Sequence, residues 1–362
     1  MELNCSRKKK KVLVAMSGGV DSSLAAHLLK EAGYDVTGVT MCLGIKLEDD
    51  RASCCGGDAI EDAKNVCGQL GIPHFVFDFA PLMEELVIGK FTSEYLQGRT
   101  PNPCVDCNRY LKFGSLLEKA RGLGFDYLAT GHYARIEHDS NRWRLMRPAD
   151  RMKDQTYFLY PIQAGDLASI LFPLGALTKE DVRILAAAAK LHVATKAESQ
   201  DICFTPQGDY GRVFSDRHLS VPTGDIVDPE GKILGRHRGI IHYTIGQRGG
   251  LGISAKRPLY VLALDARNHR VVVGHKEELF ATGLIAGDLN LLNDTFPDAV
   301  EGKIRYRKKQ ARCRVAKEGG KLRVSFEDPQ EAITPGQAFV FYSGDELLGG
   351  GVIESVKKVN SE

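Results

Sequence analysis

Eight residues, Ala15-Met16-Ser17-Gly18-Gly19-Val20-Asp21-Ser22, constrain the fold more than any other stretch of the chain. The apolar run Val12–Met16 leads into them and an amphipathic segment from Ser22 to Gly33 leads out. A buried strand, a tight glycine turn and a helix start leave several backbone amides aimed at one point. With the helix dipole behind them, those amides make an anion site. Gly18 and Gly19 bring no Cβ, so the backbone can approach an anion, and Ser17, Ser22 and Ser23 offer hydroxyl donors. The GK[ST] ending of a Walker A loop, with its phosphate-binding lysine, is missing. A glycine pair among serines can also be a plain turn before a capped helix. The strand before it, the helix after it and Asp21 inside it favour a nucleotide site.

Around this stretch the chain has 362 residues, enough for two or three domains. Its 43% hydrophobic and 26% charged content is that of a soluble globular protein. A formal net charge of only +2 means that any nucleic-acid footprint is a local patch. No apolar stretch reaches the roughly 20 residues that span a bilayer, so no membrane contact is expected. Arg7–Lys11 stands before a short apolar run that leads straight to the glycines, which reads as a basic tail and a first strand, not a signal peptide. Nine cysteines in such a chain point to thiol or metal chemistry in a reducing compartment, and the cytoplasm is the expected address.

From Lys11 to about Tyr133 short apolar runs alternate with amphipathic ones. Val36–Met41, His74–Phe79 and Tyr127–Gly131 read as further strands, with helices over Ala59–Leu70 and about Asn108–Leu123. That alternation predicts a doubly wound parallel sheet covered on both faces, with ligands at the carboxyl ends of its strands. The rule places the glycine loop, Met41 and Gly131-His132 on one rim. A helical stretch is expected over about 156–191. Beyond Phe204 the texture turns to glycine and short β-like runs, and from about 278 to strands separated by turn residues, as in a small barrel. The expected domains are 1–204, a catalytic α/β unit; 205–277, a small β-rich unit; and 278–362, a β-barrel.

Thr100-Pro-Asn102-Pro103-Cys104-Val-Asp-Cys107-Asn108 is a proline-bracketed turn with two cysteines at C-x-x-C spacing, and Cys107 is placed just before a helix that would favour its thiolate. Cys203 lies in Glu198-Ser-Gln-Asp-Ile-Cys-Phe204. One C-x-x-C pair is also half of a structural zinc site, but no second pair stands at zinc-ribbon spacing. Cys42, Cys67 and Cys313 read as ordinary buried or half-buried residues, the adjacent Cys54 and Cys55 have no role to argue, and Cys5 lies in the basic tail.

The loop AMSGGVDS resembles the pyrophosphate loop of ATP pyrophosphatases, which pass AMP to an acceptor. With GRTPNPCVDCN, LATGHYAR, MKDQTYFL, ESQDICF, YTIGQRGGLGI and AITPGQAFVFY in this order from Ala15 to Tyr342, the chain resembles the tRNA-specific 2-thiouridylases. The resemblance implies ATP and Mg2+ as cofactors, with Ala15–Ser22, Met41 and Gly131 contacting ATP. It implies adenylation of the uracil 2-oxygen of a wobble uridine, which makes the carbon attackable. Cys203 would carry a persulfide and Cys107 would resolve it, leaving a Cys107–Cys203 disulfide for reductants to open. The chain departs from a common pattern at Cys104, where many members carry aspartate. Three cysteines imply the alternative of a 4Fe-4S cluster on Cys104, Cys107 and Cys203, whose open iron would bind sulfide. A cysteine desulfurase or a sulfur-relay protein is the implied sulfur donor, and tRNAs of the Lys, Glu and Gln type the implied substrates.

Lys303 to Arg323 is a basic stripe in which Glu318 is the one acid. Alternation over Ile304–Arg307 predicts a strand with Arg305 and Arg307 on one face, facing phosphates, and Tyr306 free to stack or pack. A solvated basic face is the bland alternative. By resemblance, His132, Lys153, Asp154, Gln155, Arg305, Tyr306 and Gln337 contact tRNA, and Asn102, Pro103 and Cys104 flank the flipped base. His132 alone could equally be a sheet-end histidine, and His237 and His242, near Arg236 and Arg238, are not read as metal ligands. Two rivals are an ATP pyrophosphatase that adenylates a small molecule and a thiol- or cluster-based RNA-binding regulator without turnover.

Overall fold

A computed structural model describes residues 9–45, 57–139, 141–197, 202–205, 210–293 and 295–359. Cys5, Cys54, Cys55 and the Glu198–Asp201 part of the ESQDICF motif lie outside the described residues. The chain divides into two compact units: Met1–Glu84 with Cys107–Gln200, and Glu85–Asp106 with Asp201–Glu362.

The first unit is built on β1 (Lys11–Ala15), whose Val12, Leu13 and Val14 are wholly buried. A strand covered on both faces needs apolar side chains in succession, and this run supplies them. Parallel to β1 lie β2 (Asp35–Cys42) on one side and β4 (Tyr127–Ala129) on the other, with β3 (His74–Asp78) beyond β2. Next in the chain, β5 (Arg135–His138) and β6 (Trp143–Met146) form an antiparallel hairpin. A fifth parallel strand, β7 (Ile170–Leu171), completes the order β3-β2-β1-β4-β7. The chain steps outward from β1 to β3, then returns to the other side of β1. Its strand order therefore reverses between β1 and β4, where such sheets bind ligands.

Helices Val20–Glu31, Gly57–Leu70 and Lys179–Ala188 cover the sheet, and Leu24, Ala25, Ala63, Val66, Val182 and Ala186 share one core with Val12 and Val14. The continuous helix expected over 156–191 is broken. Thr156–Leu159 is one helical turn, Ala164–Ser169 a 3-10 turn, and β7 intervenes before Lys179–Ala188. Pro161 and Pro173 each remove a helical N–H, and β7 fills the gap by pairing with β4.

In the second unit, β8 (Gly224–Val227), β9 (Ile233–His237), β10 (Tyr260–Asp265) and β11 (Arg270–Gly274) form a sheet ordered β10-β11-β8-β9 over Ile226, Val261, Val271 and Val273. A barrel follows: β12 (Phe280–Leu291), β13 (Ala299–Lys303), β14 (Ala311–Glu318), β15 (Lys321–Glu331), β16 (Ala338–Ser343) and β17 (Glu346–Lys358). The antiparallel order β12-β15-β14-β13-β16-β17 closes through β12–β17 pairing, which removes both sheet edges. Strict alternation on β14 and β15 sends Cys313, Val315, Leu322, Val324 and Phe326 inward and Arg312, Arg314, Lys321 and Arg323 outward. The architecture expected from the sequence is the one found: a parallel α/β sheet, a small β-rich sheet and a closed C-terminal barrel.

Candidate functional site

The glycine loop leaves β1 at the switch point and enters helix Val20–Glu31, so the predicted strand–turn–helix is present. Gly18 has φ +69°, a conformation L side chains rarely adopt, and a Cβ there would lie 2.3 Å from the Ala59 carbonyl oxygen. Gly19 occupies the helix N-cap with φ −100° and no side-chain cap. A Cβ on Gly19 would come no nearer than 3.5 Å to Ser17 Oγ, so the chain itself does not demand glycine there. The missing Cβ keeps the approach to the first-turn amides clear, which fits a close-packed phosphate.

The serine hydroxyls shape the loop. Ser22 Oγ and Ser23 Oγ donate to the Gly19 carbonyl at 3.2 and 2.8 Å, and the Ser17 amide donates to Ser22 Oγ at 3.1 Å. Gly131, just past β4, lies against the same loop: a Cβ there would be 2.7 Å from the Ser22 nitrogen. Met41 belongs to β2, and the Met16 amide donates to the Val39 carbonyl at 2.7 Å. The loop, Met41 and Gly131-His132 thus share the carboxyl rim of one sheet.

Three polar partners of the loop come from far along the chain and were not singled out in the sequence. Lys179 Nζ lies 2.7 and 2.8 Å from the two Asp21 carboxylate oxygens, and the Tyr133 hydroxyl donates to Asp21 Oδ1 at 2.8 Å. Lys196 Nζ donates to the Gly18 carbonyl at 3.1 Å and pairs with Asp62. The Lys196 bond, reinforced by His192, holds the Asp62 carboxyl below its ordinary range. No local motif marks Lys179 or Lys196, whereas Tyr133 stands inside LATGHYAR, two residues after Gly131.

His132 is half-buried, with Nδ1 2.7 Å from Thr130 Oγ1 and its ring against Phe113 and Phe172. Burial, helped by the charge of Lys112, pushes its pKa well below the ordinary value, so the ring is neutral at pH 7. In the 151–155 segment Asp154 is buried and accepts from the Thr156 amide and hydroxyl. Gln155 Oε1 accepts from the Tyr133 amide at 2.8 Å, while Lys153 is half-buried at the end of the 3-10 turn Arg151–Lys153.

Cys107 does not stand before a helix. The helical stretch already begins at Pro103, with Pro103–Asp106 followed by a π-helical run, Cys107–Leu116. Pro103 suits a first helical position because the lost N–H would have no partner there. Cys104 is therefore in the first turn and Cys107 in the next, and both are half-buried. Asn102 caps the start, its carbonyl accepting from the Val105 amide at 3.0 Å. In the second unit, Gln337 Nε2 donates to the carbonyls of Thr100 at 2.9 Å and Pro101 at 3.3 Å, and the Thr100 amide donates to the Pro335 carbonyl at 2.9 Å. A Cβ on Gly336 would meet the Thr100 backbone at 2.8 Å. Gln337 thus braces the turn before Cys104.

Cys203 is exposed, and its neighbour Phe204 is buried edge-on against Phe91 with ring centroids 5.2 Å apart. Phe91 and Tyr95 also meet Tyr210, so an aromatic cluster anchors the Cys203 turn. Cys42, Cys67 and Cys313 are buried as expected; burial raises Cys67 to about 11 and Cys313, beside Glu327, to about 12. His237 has both ring nitrogens engaged, Nδ1 by the Gly239 amide at 3.0 Å and Nε2 at the His269 carbonyl at 2.9 Å. Among the described residues no group of three or more His, Cys, Asp or Glu side chains could hold a metal ion. Among the described residues a 4Fe-4S cluster therefore finds no preassembled set of three thiolates, whereas Mg2+, held by one or two carboxylates together with substrate phosphates, needs no such group.

The strand expected over Ile304–Arg307 is a turn after β13. Arg305 points inward, donating to the Ile245 carbonyl at 3.0 Å and to Thr334 Oγ1, while Arg307 is exposed. The half-buried Ile245 carbonyl and the buried Thr334 hydroxyl capture the Arg305 guanidinium, which overrides the alternation. Tyr306 is half-buried, with Lys303 Nζ 5.5 Å from its ring centroid. The outward basic face lies instead on β14 and β15, where Arg323 pairs with Glu318 and Lys321 with Glu354.

A doubly wound sheet with a glycine loop at its switch point, followed by a small β sheet and a closed barrel, defines an α/β protein with a candidate nucleotide site and two β appendages. Three family profiles match it in order: a tRNA methyl transferase HUP domain over residues 10–207, a tRNA methyl transferase PRC-barrel domain over 212–275, and an aminomethyltransferase β-barrel domain over 281–353. The chain is 56% identical over 346 residues to tRNA-specific 2-thiouridylase MnmA 1 of Syntrophus aciditrophicus (strain SB), covering 96% of this chain and 93% of that one. It is 50% identical over 357 residues to tRNA-specific 2-thiouridylase MnmA of Carboxydothermus hydrogenoformans, with 96% and 98% covered. The chain belongs to the tRNA-specific 2-thiouridylase family, whose members are sulfurtransferases. No helix among the described residues is long and apolar enough to cross a membrane.

Proposed function

We propose that this chain uses ATP to replace the 2-oxygen of a tRNA wobble uridine with sulfur. The observation that carries this reading is the uncrowded Gly19 at the N-cap of the first helix, at the switch point of the sheet, in a chain that also presents Cys203 on an exposed turn. Residues 1–204 would perform catalysis, with 205–277 and 278–362 holding the tRNA.

A uracil carbonyl carbon is a poor electrophile, and its oxygen does not leave unaided. ATP held by Ala15–Ser22, Met41 and Gly131 transfers AMP to that oxygen and releases pyrophosphate, which turns the oxygen into a leaving group. A persulfide on Cys203, loaded by a desulfurase or a relay protein, attacks carbon 2 through its terminal sulfur, and AMP departs. The Cys107 thiolate then attacks Cys203 Sγ. The new sulfur stays on the base as the thiocarbonyl, and a Cys107–Cys203 disulfide forms. A thiol reductant returns both cysteines with two electrons. Cys104 is a third thiol beside this relay. Mg2+ would be held chiefly by the phosphates of ATP and would neutralise their charge, while the described residues hold no ready set of three thiolates for a 4Fe-4S cluster.

For tRNA, Asn102, Pro103 and Cys104 would flank the flipped base, while Lys153 and Tyr306 offer side chains toward the strand. Asp154, Gln155, Arg305 and Gln337 have their side chains tied into the protein, so they would act by shaping the surfaces that meet RNA. His132 is a neutral hydrogen-bonding group at the rim.

The test is ATP cleavage to AMP and pyrophosphate, followed with and without tRNA, together with nucleoside mass analysis of the product. Cleavage that requires a wobble uridine, with 2-thiouridine formed when a cysteine desulfurase and cysteine supply persulfide sulfur, supports the reading. C203S should keep adenylation and lose persulfide-dependent thiolation. Methylated nucleoside in place of 2-thiouridine, or cleavage indifferent to tRNA, would replace it.

A further inference from the structure

The pyrophosphate loop contains no lysine, yet a triphosphate placed against amides alone lacks a mobile cation to follow its charge. The fold brings one in from 158 residues away. Lys179 Nζ sits on both carboxylate oxygens of Asp21, the acid inside the loop, and its side chain is only 12% exposed. The lysine backbone is firmly placed. Its amide donates to Asp150 Oδ2 at 3.0 Å, and the Thr178–Asp181 capping box sets the start of helix Lys179–Ala188 just beside it. Four methylenes separate that fixed point from the ammonium, so the charge can move while the helix stays still.

The Asp21 carboxylate, in turn, keeps a second donor, the Tyr133 hydroxyl at 2.8 Å, when the lysine leaves. A loop carboxylate with no cation nearby would repel phosphate, so some positive charge is needed here in either state. Lys196 is engaged differently: it donates to the Gly18 carbonyl and pairs with Asp62, which makes it a brace on the loop backbone.

We propose that Lys179 is the phosphate-binding lysine of this site. Its ammonium rests on Asp21 when no nucleotide is bound and passes to the phosphate oxygens of ATP when one arrives, balancing the charge that leaves as pyrophosphate. This rests on the reading of the loop as an ATP site, and the experiment separates the two.

ATP and adenosine are titrated calorimetrically into the wild-type chain, K179M and K179R in EDTA, at two salt concentrations. K179M should lose about 10- to 100-fold in ATP affinity, the range of a charge-assisted bond, with adenosine affinity nearly unchanged and a shallower salt dependence for ATP. K179R should recover most of the ATP affinity. If K179M melts well below the wild type, K179Q, which keeps a polar end without charge, takes its place. Equal losses for ATP and adenosine, or no loss for either, overturn the assignment and leave Lys179 as a neutraliser of Asp21. A wild-type chain that binds ATP no better than adenosine would instead sink the pyrophosphate-loop reading itself.

Discussion

Replacing Gly131 with alanine tests the geometry of the candidate nucleotide site most directly. Gly131 is not in the left-handed region, so alanine carries no backbone penalty there, and any effect comes from the added methyl group. That carbon would lie 2.7 Å from the Ser22 nitrogen, 2.8 Å from the Asp21 carbonyl carbon and 3.0 Å from Asp21 Cβ. Ordinary contact begins at 3.4 Å, so the nearest pair must separate by about 0.7 Å. Two of the three neighbours are backbone atoms of the loop, held by β1 before them and helix Val20–Glu31 after them. Overpacking of this kind costs about 1–3 kcal/mol. A displacement approaching 1 Å at a positioning group lowers turnover by about 100-fold. Gly131→Ala should therefore lower the melting temperature and reduce AMP formation by about 10- to 100-fold. Gly122→Ala is the control: it ends a helix, meets nothing within 4 Å, and should be neutral or stabilising by about 0.5–1 kcal/mol. The assay is AMP and pyrophosphate release beside a thermal melt for each variant. Wild-type turnover in Gly131→Ala would refute the close approach of β4 to the loop.

Other consequences are equally accessible. The half-buried His132, packed against Phe113 and Phe172, resists a proton that the unfolded chain accepts near pH 6.5, so its contribution to stability is full above that pH and declines as pH falls, by at most about 1.4 kcal/mol per unit. His132→Gln should flatten the stability curve between pH 6.5 and 5 in urea titrations; an unchanged slope would count against the neutral ring. Maleimide at neutral pH should label exposed Cys203 before half-buried Cys104 and Cys107, and leave Cys67 and Cys313 unmodified until denaturant is added, as read by peptide mass spectrometry. Gln337→Ala frees the Thr100 and Pro101 carbonyls from their brace and should slow thiolation several-fold while ATP affinity stays at the wild-type value. Equal loss of both would place Gln337 in the nucleotide site instead.

The α/β architecture was legible because its strands are local events. A strand buried on both faces demands an unbroken apolar run, and Val12–Met16 is one. Strand alternation on β14 and β15 was equally plain. Misreadings arose where a distant partner outweighed a local pattern. Ile304–Arg307 alternates as a strand should, yet Arg305 is drawn inward by Ile245 and Thr334 and the chain turns. The alanine-rich stretch ending near Leu191 suggested one helix, but two prolines and a pairing with β4 cut it into pieces. Cys107 was placed too early in its helix because Pro103 reads as a turn residue and is equally a helix starter.

The residues by themselves determined the anion loop, since the two glycines and the small hydroxyl side chains that shape it are neighbours in the chain and act through backbone conformation. They also determined the parallel sheet and the barrel, through periods of burial that span a few residues. Only the tertiary structure decided what charge stands at the loop. Lys179 and Lys196 are 158 and 178 positions from the residues they hold, Asp21 and Gly18. Contacts of that separation leave no periodic trace, because the Lys179–Asp21 pair depends on where two helices pack and the Lys196 bond on where a later loop returns to Gly18, not on what lies beside either lysine. The same reason hides the brace of Gln337 on Thr100, 237 positions apart.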